Sequence, residues 1–102
     1  MDNINKNFPY NHRLVVCAAV KYEKSGLIVV GARHFDKLMN NIIDRLKDFN
    51  EYSEVPVQGF VDQFGKFMDR KDALQVAKDA GQLNVRRFKT WPEDELFSED
   101  LY

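Results

Sequence analysis

The chain has 102 residues, with 15 Lys+Arg against 16 Asp+Glu, 44% hydrophobic residues and one cysteine. That length suits a single core, and a net charge of -1 lacks the basic excess with which nucleic-acid binders neutralise phosphates. Lone Cys17 forms no internal disulfide and makes at best a scattered three-ligand set with His12 and His34, so neither a metal site nor a cofactor is expected.

Residues 1–13 show no periodicity and read as an N-terminal arm, loose or docked by Phe8 and Tyr10, ahead of a single α+β domain over residues 14–102. The polar start does not read as a signal peptide. Leu14-Val15-Val16-Cys17-Ala18-Ala19-Val20 is a continuous apolar run, far short of the ~20 residues of a membrane span, and predicts a strand buried on both faces. A charged turn ending in Ser25-Gly26 separates it from Leu27-Ile28-Val29-Val30, so the two runs predict an antiparallel hairpin.

Phe35, Leu38, Met39, Ile42, Ile43, Leu46 and Phe49 then recur at helical spacing and predict an amphipathic helix, which ends before Pro56. Residues 58–63 and 66–68 flank Phe64-Gly65 and predict a second, short hairpin. Asp69 reads as the N-cap of a second helix over residues 70–80, with Gly81 just past its end. From Gln82 onward periodicity fades, so this tail either docks through Trp91, Leu96, Phe97, Leu101 and Tyr102 or completes another subunit.

Three local features could carry binding chemistry. Gly31-Ala32-Arg33-His34 stands where a strand hands over to a helix start, a place whose free N–H groups and dipole favour an anion; Asp36 close behind competes for the same positive end. Phe60 and Phe64, beside Gly59 and Gly65, are either a stacking surface for a nucleobase or ordinary core rings. Arg86-Arg87-Phe88-Lys89 is the basic cluster of the second half, and it either grips a pyrophosphate or pairs with the acidic residues that follow. Cys17 in an apolar strand reads as packing rather than as a nucleophile, since desolvation disfavours the thiolate. The opening strands resemble those of a Nudix hydrolase, but His34-Phe35-Asp36-Lys37-Leu38 stands where the glutamate-rich metal-binding helix would follow, so that likeness carries no hydrolase.

Taken together, Val16-Cys17-Ala18-Ala19, Gly31-Ala32-Arg33-His34-Phe35-Asp36, Gln58-Gly59-Phe60-Val61-Asp62-Gln63-Phe64-Gly65, Asp69-Arg70-Lys71-Asp72-Ala73, Ala80-Gly81-Gln82 and the closing Glu95-Leu96-Phe97-Ser98-Glu99-Asp100-Leu101-Tyr102 resemble a family of small phage and prophage proteins, the phage anti-Thoeris sponges. The resemblance implies a protein of the host bacterial cytoplasm that is not an enzyme. It would bind a cyclic ADP-ribose signal and hide it from host defence, with cyclic oligonucleotides as a further ligand class. It also implies a homodimer or dimer-based hexamer with a ligand site at the dimer interface. Carried onto this sequence, Phe60 would meet the adenine, Arg33 and either Arg86 or Arg87 the pyrophosphate, with Asn84 and His34 as further ligand contacts and the Ser98-Glu99-Asp100 block ordering the tail across the partner. Alternatives are a small nucleotide-processing enzyme and a phage protein that binds a host protein.

Overall fold

A computed structural model describes residues 12–49, 52–83, 89 and 91–101. The architecture is α+β: a four-stranded antiparallel sheet of order β2-β1-β3-β4, formed by β1 (Cys17–Lys21), β2 (Ile28–Gly31), β3 (Val57–Val61) and β4 (Phe67–Asp69). Two helices, α1 (Lys37–Leu46) and α2 (Arg70–Asp79), pack on it, and a 3-10 turn, Ser98–Asp100, closes the tail.

Cross-strand register explains the single core. Ala18 stands opposite Phe60, Phe60 opposite Met68, and Val20 opposite Val29, so these side chains share one face of the sheet. On that face they meet Met39 of α1 and Ala73, Leu74 and Ala77 of α2, all buried. As the apolar run predicts, the centre of β1 is closed on both faces, with Ala18, Ala19 and Val20 at most 1% exposed.

The strand is shorter than that run. Val15 instead exchanges two hydrogen bonds with the Gln82 side chain, each 2.9 Å, while the Leu14 N–H donates to Gln63 Oε1 at 2.7 Å. Side-chain amides thus take the place of a neighbouring strand. The Arg13 Nε donates to buried Asp62 at 2.7 Å, so the end of the predicted arm is anchored; Phe8 and Tyr10 lie outside the described residues.

Both helix starts follow from their caps. Asp36 and Asp69 have extended backbones, and their carboxylates accept from the Met39 and Asp72 N–H groups respectively. Phe35 therefore lies outside α1, not on its stripe, and Phe49 lies beyond its end. Gly81, with φ 67, sits just past α2 as expected. The tail docks on its own chain: Leu96 is fully buried in the core and its N–H donates to Arg70 O at 2.9 Å. Trp91 takes no part in this docking and is 80% exposed. The Ser98-Glu99-Asp100 block does not need a partner to be ordered, because Asp100 accepts from the Phe97 N–H at 2.9 Å and pairs with Lys89 at 2.9 Å. Among the described residues no helix is long and apolar enough to cross a membrane.

Candidate functional site

The turn between β2 and α1 and the C-terminal tail approach each other over the sheet. Between them lies a cleft of about 150 Å³ lined by Arg33, His34, Arg70, Phe97, Ser98 and Glu99. A more open depression of about 370 Å³, lined by Pro56, Gln58, Asp69, Arg70, Lys71 and Glu95, adjoins it through Arg70. The smaller cleft is the better candidate, since residues far apart in the chain converge there with varied chemistry.

Arg70 is fixed in place. It directly follows the Asp69 cap, and its guanidinium donates through Nη1 to Leu96 O at 2.7 Å and through Nη2 to Gln58 Oε1 at 2.6 Å. The Phe97 ring lies 4.3 Å from the guanidinium carbon, with Phe60 at 6.0 Å. Burial pulls its pKa down, while Glu95, Glu99 and Asp100 oppose that shift; a guanidinium stays charged regardless. With two of five N–H donors engaged in those bonds, this is a cation held ready for an anion.

His34 is seated by the backbone. Its Nε2 lies 2.6 Å from Gly59 O and 3.2 Å from Ala19 O, and since both are acceptors, Nε2 carries the proton. Burial, then the Arg70 charge, lower its pKa below the usual histidine value, against the two carbonyls and Glu99, which raise it. The ring is therefore neutral near pH 7, and Nδ1 is an acceptor. Ser98 is 4% exposed and its Oγ is buried without a hydrogen-bond partner. Glu99 brings a carboxylate to the same cleft.

The predicted anion position at the helix start is already filled. Asp36 accepts through Oδ2 from the N–H groups of Ala32 (2.9 Å) and Arg33 (3.2 Å), and through Oδ1 from Met39 (2.9 Å). These bonds, Met39 first, hold its pKa below the ordinary carboxylate value. A Cβ on Gly31 would stand 2.6 Å from Asp36 Oδ1, so Gly31 serves this carboxylate rather than a ligand.

Phe60 is corrected as well. It is 1% exposed, in edge-to-face contact with His34 at 5.0 Å, and has no open face for a base. Neighbouring Gly59 admits β4 and the Phe67 ring, which a Cβ would strike at 2.7 Å. Phe64 is exposed but lies in the β3–β4 turn. Arg33 and His34 do meet in the cleft, whereas Asn84, Arg86 and Arg87 lie outside the described residues.

Arg70, Phe97, Ser98 and Glu99 were not among the expected ligand contacts. Arg70 stands behind a cap and reads as helix surface; the tail residues lack periodicity, and only the closing block marked them. Phe35 also belongs here: it is 44% exposed, its ring is 6.5 Å from His34, and its φ of 57 is the one positive value at a non-glycine among the described residues. A bulky residue in that conformation is uncommon and strained. Among the described residues no group of three or more His, Cys, Asp or Glu is placed to hold a metal ion.

The sequence model of one protein family, described as "Phage T4 y16D protein", matches residues 14–102. No curated protein and no solved structure matches the chain. The match begins where the arm ends and runs through the sheet, both helices and the tail that closes the cleft, so the chain belongs to the phage T4 y16D protein family.

Proposed function

We propose that this phage protein binds a small nucleotide signal of the cyclic ADP-ribose type in the cleft and holds it uncleaved, as an immune-evasion protein acting in the host cytoplasm. One observation carries the reading: Arg33 and Arg70, 37 positions apart in the chain, line the same cleft beside a neutral imidazole, a buried hydroxyl and a carboxylate. Guanidinium groups suit a pyrophosphate, while His34 Nδ1 and Glu99 suit ribose hydroxyl donors. The exposed Phe35 ring, not Phe60, supplies the face for the base. A volume of about 150 Å³ is below the ~300–1,000 Å³ usual for small-molecule sites, so the cleft takes the phosphate-ribose portion and the base lies outside it, against Phe35. Sequestration asks for binding without turnover, which needs no nucleophile or metal.

The test is incubation of the purified chain with cyclic ADP-ribose isomers and cyclic dinucleotides, followed by calorimetry and by mass analysis of what heating releases. The expected result is tight binding of a cyclic ADP-ribose isomer and its intact return. Phe35→Ala is expected to weaken binding at least about fivefold, since base stacking contributes about 1–3 kcal/mol, and Arg33→Ala at least about tenfold, since a hydrogen bond to a charged group contributes about 1.5–3 kcal/mol. Cleaved nucleotide in the released fraction would favour a nucleotide-processing enzyme. Absence of binding across the panel would favour a protein that engages a host protein.

A further inference from the structure

Arg70 lines two hollows at once. On one side is the cleft, walled by Phe97, Ser98 and Glu99; on the other is the depression of about 370 Å³ that Gln58, Lys71 and Glu95 help to line. The guanidinium bridges the two walls, since Nη1 donates to Leu96 O in the tail and Nη2 to Gln58 Oε1 in β3. The Phe97 ring covers one of its faces at 4.3 Å, which fixes the plane of the group. Two of its five N–H groups make those bonds and three do not, so the same cation can serve an anion that passes from one hollow to the other.

The depression offers acceptors and donors together. Glu95 brings a carboxylate, and Asp69 a second whose cap bond to the Asp72 N–H uses Oδ1. Gln58 Oε1 accepts from Arg70, which has no acceptor of its own, so the orientation of the amide is set and Nε2 presents its two hydrogens elsewhere. Lys71 adds an ammonium, 3.7 Å from Asp94 in an exposed pair of a kind that contributes little. Pro56 supplies a small apolar wall. A phosphate alone would meet two carboxylates here, and among the described residues no aromatic ring lines the depression for a base to stack on. A sugar suits it, because each hydroxyl both donates to a carboxylate and accepts from an amide or ammonium.

We infer that the depression seats a second ribose, joined to the ribose in the cleft by a pyrophosphate that lies across Arg70. The inference rests on the nucleotide reading of the cleft and narrows it to ligands that carry a sugar on each phosphate. A nucleoside diphosphate would fill the cleft side and leave the depression empty. Volume agrees with this division. The cleft alone, at about 150 Å³, is smaller than small-molecule sites usually are, whereas the depression, at about 370 Å³, lies within their ~300–1,000 Å³ range. Glu95 and Lys71 become specificity residues for the second sugar, with no part in holding the base.

Calorimetry of the full chain with ADP-ribose and with ADP tests the inference. The two probes differ by the terminal ribose, so the ratio of their Kd values isolates the depression, and any effect common to both cancels. Wild type is expected to bind ADP-ribose at least about tenfold more tightly than ADP, as hydroxyl bonds to a charged group allow. Glu95→Ala and, separately, Lys71→Met are expected to cut that ratio at least about threefold while keeping the wild-type circular dichroism and cooperative melt. Glu95→Gln gives the same readout should the alanine variant unfold. Arg33→Ala is expected to weaken both probes and preserve the ratio. A wild-type ratio near one, or a ratio undiminished in both folded variants, would overturn the second-ribose seat and leave the cleft reading standing. Binding of a cyclic ADP-ribose isomer but of neither probe would do the same. Binding of none of these ligands would remove the cleft reading, and the seat with it.

Discussion

At the scale of single residues, buried or capping groups whose bonding is complete stand apart from a cleft group whose bonding is not. Asp36 and Asp62 are complete: the first caps α1, and the second accepts from Arg13 and from the Phe64 and Lys66 N–H groups. Ser98 is not, since its buried Oγ has no partner. Burying an unsatisfied polar group costs about 1–3 kcal/mol, so Ser98→Ala is expected to leave the thermal midpoint unchanged or raise it. In the proposed ligand complex the same change is expected to weaken affinity, because the ligand would supply the missing partner. Paired melting and calorimetry measure both effects. A destabilisation beyond about 1 kcal/mol would show that Oγ already has a partner in the free protein.

At the scale of elements, the tail is the piece that makes the cleft, and one side chain anchors it. Leu96 is fully buried among residues of both the sheet and the helices, so Leu96→Ala is expected to cost about 2–5 kcal/mol, read by chemical denaturation. Trp91→Ala, at 80% exposure, is expected to change stability by no more than about 0.5 kcal/mol. Equal losses in the two variants would contradict this division of the tail. The strands, α1 and α2 were legible from sequence because periodicity and caps are local: alternation of apolar runs, the Leu38 to Leu46 spacing, and Asp69 with Gly81 around α2. Asp36 was legible as a competitor for the helix dipole but not as the cap that accepts from the Ala32, Arg33 and Met39 amides. The cleft was legible only in part. Arg33 and His34 stand at a strand-to-helix turn that sequence marks, whereas Arg70 enters the cleft through bonds to Gln58 and Leu96, both distant in the chain. Phe60 stayed open between a stacking ring and a core ring until the resemblance set it against an adenine, because aromaticity beside glycine is visible in sequence and burial is not. The tail's docking rests on Leu96 and on Lys89 with Asp100, contacts that follow no repeating spacing.

At the scale of the whole molecule, these local bonds sum to a pH dependence whose sign can be worked out. His34 has a folded-state pKa below its unfolded value, with burial the largest cause. Near neutral pH it is uncharged in both states and contributes nothing. As pH falls through the unfolded value of about 6.5, the unfolded chain takes up a proton that the folded chain refuses, so stability declines, and the decline levels off below the folded pKa. Asp62 behaves differently. Burial pushes its pKa up, but Arg13 and the Lys66 and Phe64 amides more than offset that, and the net shift is downward. Asp36 is lowered by its amide bonds as well. A lowered carboxylate stabilises fully above its unfolded pKa of about 3.9 and loses that contribution as pH falls through the folded value. Stability should therefore fall in two stages on acidification, the first beginning near pH 6.5 and the second near pH 4. The first stage has a slope no steeper than about 1.4 kcal/mol per pH unit, the limit for one proton. Denaturant unfolding of wild type and His34→Gln across this range isolates it. Glutamine can still donate toward Gly59 O but does not titrate, so its curve is expected to stay flat between pH 7 and 5 and then to fall with wild type. An unchanged first stage in His34→Gln would place the responsible proton elsewhere, and with it the neutral imidazole on which the cleft's acceptor chemistry depends.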